Sequence, residues 1–147
     1  MKKIAYILVG LPGSGKTTWA SQKNLPIVSR DIIREERGIM NKETKGIGTP
    51  EEEREIKNEN FRRIEELCEQ GKEFIIDNTH VGSAKLQTIA MLREHDYRIV
   101  GVNFITDIET CIKRRDGSVS AQVIRNMNES IKYCTKDECD DVIRIVN

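Results

Sequence analysis

The 147-residue sequence has no surplus of either charge: Lys plus Arg and Asp plus Glu both number 24. This argues against a bulk DNA coat, since no global positive field recruits nucleic acid, and leaves room for a small basic groove. Long apolar runs are also missing. Nothing approaches the ~18 consecutive apolar residues of a membrane span. The apolar stretch that follows Met1-Lys2-Lys3 leads into glycines and not into a small-residue cleavage site, so it is read as a first strand and not as a secretory leader. Histidine is scarce, and His80 and His95 are too far apart to suggest a metal centre. The four cysteines, Cys68, Cys111, Cys134 and Cys139, match no zinc spacing. They are expected to be free thiols of a reducing, cytoplasmic compartment. An apolar fraction of 37% and a charged fraction of 33% describe a soluble, highly charged chain. Its length fits a single domain over 1–147 with a real core. There is no internal repeat, low-complexity tract or interdomain linker.

What is present is concentrated in residues 4–20. A strand-type apolar run stops at Gly10, and Gly10-Leu11-Pro12-Gly13-Ser14-Gly15-Lys16-Thr17 fits G-x-x-x-x-G-K-[ST]. Gly10, Gly13 and Gly15 permit backbone conformations and close approaches that a Cβ would block. The loop N–H groups then converge on an anion at the start of the next helix. Gly13, Ser14, Gly15, Lys16, Thr17 and Thr18 are the expected nucleotide-binding residues. Lys16 reaches toward the outer phosphates, and the Thr17 hydroxyl is the expected Mg²⁺ ligand. The motif predicts binding of a nucleoside triphosphate, with ATP and Mg²⁺ as the working pair.

Along the chain, strands alternate with helices. A helix is predicted over 16–23, ended by Asn24-Leu25-Pro26, because the residue before a proline is pushed out of helical space. Ile27-Val28-Ser29 reads as a second strand, and a helix follows to about Arg37 with Asp31 as its N-cap. Residues 38–49, rich in glycine and lysine, read as a mobile surface segment. Thr49-Pro50-Glu51-Glu52 opens a long amphipathic helix that ends at Gly71, with Ile56, Ile64, Leu67 and Cys68 inward and its many charges forming a solvated face. Further strands are predicted over 74–76, 97–105 and 142–146. Helices are predicted over 83–94, with Leu86, Ile89, Ala90 and Leu92 as apolar contacts, and over 108–113 and 121–133. Such alternation makes an α/β fold with a parallel sheet of about five strands flanked by helices.

Three stretches bear on what is done with the nucleotide. Asp31 sits at the carboxyl end of the second strand, where ligands collect in open α/β sheets, and could take a proton from a hydroxyl nucleophile. Arg34, one turn on, could grip an acceptor anion with its fork of donors. A helix cap with a surface ion pair explains the same two residues. Asp77-Asn78-Thr79 follows a buried strand; it could orient Mg²⁺ water, Arg34 or the incoming hydroxyl, or simply form an Asx-turn out of the sheet. Arg114-Arg115 precede a break over 114–120. They could close over the phosphates as a lid, or merely complement a helix dipole.

The segments Gly-Leu-Pro-Gly-Ser-Gly-Lys-Thr-Thr-Trp-Ala, Ser-Arg-Asp-Ile-Ile-Arg, Ile-Ile-Asp-Asn-Thr-His, Lys-Arg-Arg-Asp-Gly and Val-Ile-Arg-Asn-Met, in this order, resemble the polynucleotide 5′-kinase family. The likeness is to the kinase domain of the bacteriophage-type enzymes. It implies a P-loop fold of adenylate-kinase type with a short lid, and transfer of the γ-phosphoryl group of ATP to the 5′-hydroxyl of DNA or RNA in nucleic-acid repair. By this resemblance Lys16 and Thr17 hold ATP and Mg²⁺, Asp31 is the general base, and Arg34 grips the phosphate on the 3′ side of the first nucleotide. Asp77 supports Arg34, with Thr79 beside it, and Arg114 with Arg115 acts from the lid. Val119 matches an apolar residue that packs on the terminal base, although a plain core valine fits equally. The resemblance also implies a cytoplasmic protein, in the host cytoplasm if phage-borne, with no obligate protein partner. The lid is shorter than in the phage type, and Ser120 stands where proline is common. No phosphatase segment follows, so 3′-end repair is not expected of this polypeptide. Two other functions compete: a P-loop kinase for a small alcohol or sugar, and a nucleotide-dependent switch with little transfer activity.

Overall fold

A computed structural model describes residues 2–39, 48–78 and 83–147. The elements run β1 (Ile4–Val9), α1 (Lys16–Ser21), β2 (Ile27–Val28), α2 (Arg30–Glu36), α3 (Pro50–Glu69), β3 (Phe74–Asp77), α4 (Ala84–Glu94), β4 (Arg98–Ile105), α5 (Ile108–Arg115), α6 (Ala121–Ser130) and β5 (Asp141–Val146). The strands make one five-stranded sheet of order β2-β3-β1-β4-β5, with every pairing parallel. β1 lies at its centre, in register Leu8 to Asp77 on one side and Val9 to Asn103 on the other.

The strict side-chain period of a strand decides what each face covers. Ala5, Ile7 and Val9 point into one layer with Ile64 and Cys68 of α3 and Leu92 of α4. Leu8 points into the other with Ala20 of α1 and Phe104, flanked by Tyr6 and Trp19. Both faces are buried, which is why the parallel strands are near-continuous apolar runs.

Local chemistry sets the helix ends. Thr49 and Glu52 form a reciprocal capping box ahead of α3, at 3.1 and 2.9 Å. α2 departs from expectation. Ser29, extended at the end of β2, is the N-cap and accepts a hydrogen bond from Ile32 N at 3.4 Å; Asp31 lies in the first turn. α5 is longer than predicted, reaching Arg115 before Asp116 (φ 46°) and Gly117 (φ 80°) turn the chain. α6 is shorter, ending at Ser130.

The rotation of α4 also differs. Leu86 is 56% exposed and Ala90 is exposed, whereas Lys85, Thr88 and Leu92 face inward. The cause is the Lys85 ammonium, which donates to Lys132 O at 2.9 Å, Tyr133 O at 2.8 Å and Glu138 Oε1 at 3.0 Å. That capture pins the 131–140 loop, as does Asn103, which both donates to Cys134 O and accepts from Cys134 N at 2.9 Å. The four cysteines are free and buried. Among the described residues no helix is long and apolar enough to cross a membrane. Most of the 38–49 segment read as mobile (residues 40–47) lies outside the described residues, as does Thr79.

Candidate active site

The loop from β1 to α1 closes on itself through Ser14 N to Leu11 O at 3.0 Å. Gly13 and Gly15 take φ of 86° and 96°, the left-handed region that L side chains rarely occupy. A Cβ on Gly13 would meet Cys111 O at 2.8 Å, so α5 lies directly on the loop. α1 starts without a side-chain cap, leaving N–H groups for an anion. Ser14 is 1% exposed and its Oγ has no partner. The loop therefore keeps backbone donors at the start of α1, beside the cleft that Gly13, Gly15, Lys16 and Thr17 line.

Lys16 and Asp77 stand at the floor, each 9% exposed. Burial pushes the Lys16 ammonium below its ordinary pKa, opposed by the charges of Asp77 and Asp31. Burial likewise pushes the Asp77 carboxyl up, opposed by Lys16 and the Thr17 hydroxyl. Thr17 Oγ1 donates to Asp77 Oδ2 at 3.2 Å. The support of Arg34 by Asp77 that the resemblance implies is not the arrangement found: Asp77 is spent on the phosphate-loop side, and Arg34 has other partners. A hydroxyl and a carboxylate side by side are hard oxygen donors suited to Mg²⁺, which takes one or two protein ligands and completes its shell with phosphate and water. Among the described residues no larger metal-binding cluster exists.

Across a cleft of about 770 Å³ lies α2. Arg34 Nε donates to Glu53 Oε2 at 3.0 Å, a second nitrogen bonds Glu53 Oε1, and NH1 donates to Asp31 Oδ1 at 2.6 Å. The Asp31 side chain is 72% exposed, lines the cleft together with Lys16 and Thr17, and its charge acts on both Lys16 and Asp77. Its carboxylate is thus open to an incoming group and faces the phosphate loop. Asn78 accepts from Arg30 N at 2.9 Å and donates to Asn60 at 3.3 Å, tying α2 to α3.

The two arginines of α5 are held on a helix and not on a loose lid. Arg114 NH1 donates to Gly13 O at 3.1 Å and Asn147 Oδ1 at 3.2 Å. Arg115 has a buried Nε without a partner and lines the cleft. Val119 is half-buried against the Leu11, Cys111 and Ile124 cluster and also borders the cleft, so it is at once core and lining.

Sequence reasoning missed Glu53, counted among the charges of the solvated face of α3, and Asn60, to which it gave no place. The signal was present: Glu53, Ile56, Asn60 and Ile64 recur at the spacing of one helix face, and Ile56, Asn60 and Ile64 are buried. It also missed Arg30, which lines the cleft.

A phosphate cradle between β1 and α1, on a parallel sheet of this strand order, defines a P-loop nucleotide-binding domain of kinase-like fold. The chain belongs to the family described as AAA domain (AAA_33), whose model matches residues 6–131. No curated protein matches it. Among solved structures it is similar to a chain of the Pnkp1/Rnl/Hen1 complex, at 26% identity and a TM-score of 0.66 over 77% of this chain and 39% of that one. The present chain therefore spans about two fifths of that protein's length. It shares its fold with a sugar kinase from Janibacter sp. HTCC2649 (17% identity, TM-score 0.64, 99% of this chain and 86% of that one). The same holds for Chaetomium thermophilum Kti12 in complex with ADP-AlF3 (11% identity, TM-score 0.69, 97% and 88%).

Proposed function

We propose that this chain is an ATP-dependent polynucleotide 5′-hydroxyl kinase, with residues 1–147 forming one P-loop kinase domain. One observation carries the reading: the Asp31 carboxylate, clamped by Arg34, borders the same cleft as Lys16 and Thr17. A similar chain occurs in an RNA repair complex, and the Arg-Asp-x-x-Arg segment at 30–34 supports the same acceptor class.

In this reading the 5′-hydroxyl enters beside Asp31, which takes its proton as the oxygen–phosphorus bond forms and the bond to the β-phosphate oxygen breaks, releasing ADP. Arg34 holds the carboxylate in place and faces the acceptor. Lys16 and Arg115 neutralise charge on the transferred group, work that is mainly electrostatic in phosphoryl transfer. Arg114 fixes α5 on the phosphate loop through Gly13 O. Thr17 and Asp77 would hold Mg²⁺, which when bound supplies further charge neutralisation on the phosphates. Val119 offers an apolar edge for the terminal base, and Thr79 lies next to Asp77 and Asn78 in the chain. The protein works in the cytoplasm, where ATP and strand ends with 5′-hydroxyls are available.

The test is transfer of labelled phosphate from ATP to 5′-hydroxyl DNA and RNA oligonucleotides, run beside a panel of sugars and other small alcohols. Labelling of the oligonucleotides is expected. If only the small alcohols are labelled, the acceptor is a metabolite and the reading fails. Nucleotide-dependent binding of another protein with no transfer would instead indicate a switch.

A further inference from the structure

β5 delivers Asn147 onto the phosphate loop. The Asn147 backbone N–H donates to Ile105 O at 3.2 Å, directly after the Ile105–Val146 pair that ends the β4–β5 register. The sheet therefore sets where its side chain stands, and the carboxamide uses both of its ends. Nδ2 donates to Ser14 O at 3.3 Å, while Oδ1 accepts from Thr106 Oγ1 at 2.8 Å and from Arg114 NH1 at 3.2 Å. Asparagine offers a donor and two acceptor positions at once, which aspartate and leucine of similar size do not. One residue thus joins the phosphate loop, the β4–α5 connection and α5.

The bond to Ser14 O also sets where the next N–H points. A trans peptide is planar, so its carbonyl and the following N–H face opposite ways, and no peptide bond among the described residues is cis. Ser14 O is drawn toward Asn147 and also receives Thr106 Oγ1 at 3.4 Å; the Gly15 N–H is directed away from both. Gly15 lines the cleft, and its N–H has no acceptor among the described residues. Holding the carbonyl outward keeps this donor open to an anion. The hold matters because Gly15, at φ 96°, has no Cβ to stop the Ser14–Gly15 peptide from turning over. Arg114 adds a second strap, with NH1 bonded to Gly13 O at 3.1 Å as well as to Asn147.

We infer that Asn147 is a positioning residue for phosphate binding: its carboxamide keeps the Ser14–Gly15 peptide turned with the N–H toward the cleft, and it acts on the phosphates only through the loop. This rests on reading the cleft as the triphosphate site, and it holds whichever acceptor the enzyme uses.

The test is titration calorimetry of ATP and of inorganic tripolyphosphate, each with Mg²⁺, on the full chain as wild type, Asn147→Ala, Asn147→Asp, Thr106→Val and the Asn147→Ala/Thr106→Val double variant. A peptide free to turn presents its N–H for only part of the time, and apparent affinity falls by that fraction. With one or two neutral hydrogen bonds setting the bias, Asn147→Ala should weaken ATP binding roughly fivefold to thirtyfold. Tripolyphosphate carries no base or sugar and should weaken by the same factor. Asn147→Asp keeps the bonds to Thr106 and Arg114 but loses the donor to Ser14 O, so it should not restore wild-type affinity. Thr106→Val should give a smaller loss, and the double variant less than the product of the two, since both groups act on one carbonyl. In phosphoryl transfer the KM for ATP should carry the change, with the acceptor KM within about twofold. Asn147 is exposed, and Asn147→Leu replaces Asn147→Ala if circular dichroism shows the latter unfolded.

Unchanged ATP affinity in Asn147→Ala overturns the inference. So does a loss for ATP with none for tripolyphosphate, which would make Asn147 a direct contact to the nucleoside. In both cases the wild type still binds ATP and the broader reading stands. If the wild type binds neither ATP nor tripolyphosphate, the broader reading fails and this one falls with it.

Discussion

Glu53→Gln is the most informative single change, because it breaks the clamp behind Asp31 without touching the phosphate loop. Glutamine keeps the shape, but it removes the charge and one of two parallel contacts to Arg34. Hydrogen bonds to charged groups contribute about 1.5–3 kcal/mol net. The pair is only partly withdrawn from solvent, with Arg34 at 15% and Glu53 at 27% side-chain exposure, so the lower part of that range applies. Unfolding free energy should fall by about 2 kcal/mol at pH 7. The same loss at the site corresponds to roughly a thirtyfold fall in acceptor kcat/KM, with the KM for ATP within about twofold.

The sign of the pH dependence follows from the Arg34 hydrogen bond, which holds the Glu53 carboxyl below its ordinary pKa. That stability is fully present above the unfolded value of about 4.3 and is lost as pH falls through the folded value. Glutamine cannot titrate, so the gap between wild type and variant should be widest at neutral pH and close below about pH 4. Urea unfolding, followed by the single tryptophan, Trp19, which packs edge-on to Tyr6 and Phe104, measures the gap at both pH values. A gap at pH 7 below about 0.5 kcal/mol, a gap that does not change with pH, or a KM effect on ATP instead of the acceptor would refute the reasoning.

Three other outcomes follow from the same geometry. Asp31→Ala should keep nucleotide affinity within about threefold by titration calorimetry while phosphoryl transfer falls by roughly 10²–10⁴; near-full turnover would remove Asp31 as the base. Gly13→Ala places a Cβ 2.8 Å from Cys111 O at a φ of 86°. Nucleotide binding should weaken by at least about tenfold, since the left-handed conformation costs roughly 1–2 kcal/mol and α5 must also shift. Lys85→Met leaves Glu138 and two carbonyls without their shared donor. Chemical denaturation should show a loss of about 3–5 kcal/mol, the cost of breaking a buried ion pair from one side.

The sequence by itself determined what depends on neighbours in the chain. The strand, glycine loop and helix of residues 4–20 follow from periodicity and backbone freedom, and both are local. The same is true of the Thr49-Pro50 helix start, whose capping box joins residues three apart. The alternation of buried strands and amphipathic helices was enough to predict a parallel α/β sheet. Tertiary structure alone decided which charges meet. Asp77 pairs with Thr17 across 60 residues, and Arg34 with Glu53 across 19. A charged residue on a helix reads as solvated until a partner from another element explains its burial, which is how Glu53 escaped notice and why Lys85, not Leu86, turns inward. The extension of α5 to Arg115 is of the same kind: the helix is held by its packing on the phosphate loop, and no local signal in Arg-Arg-Asp-Gly announces that contact.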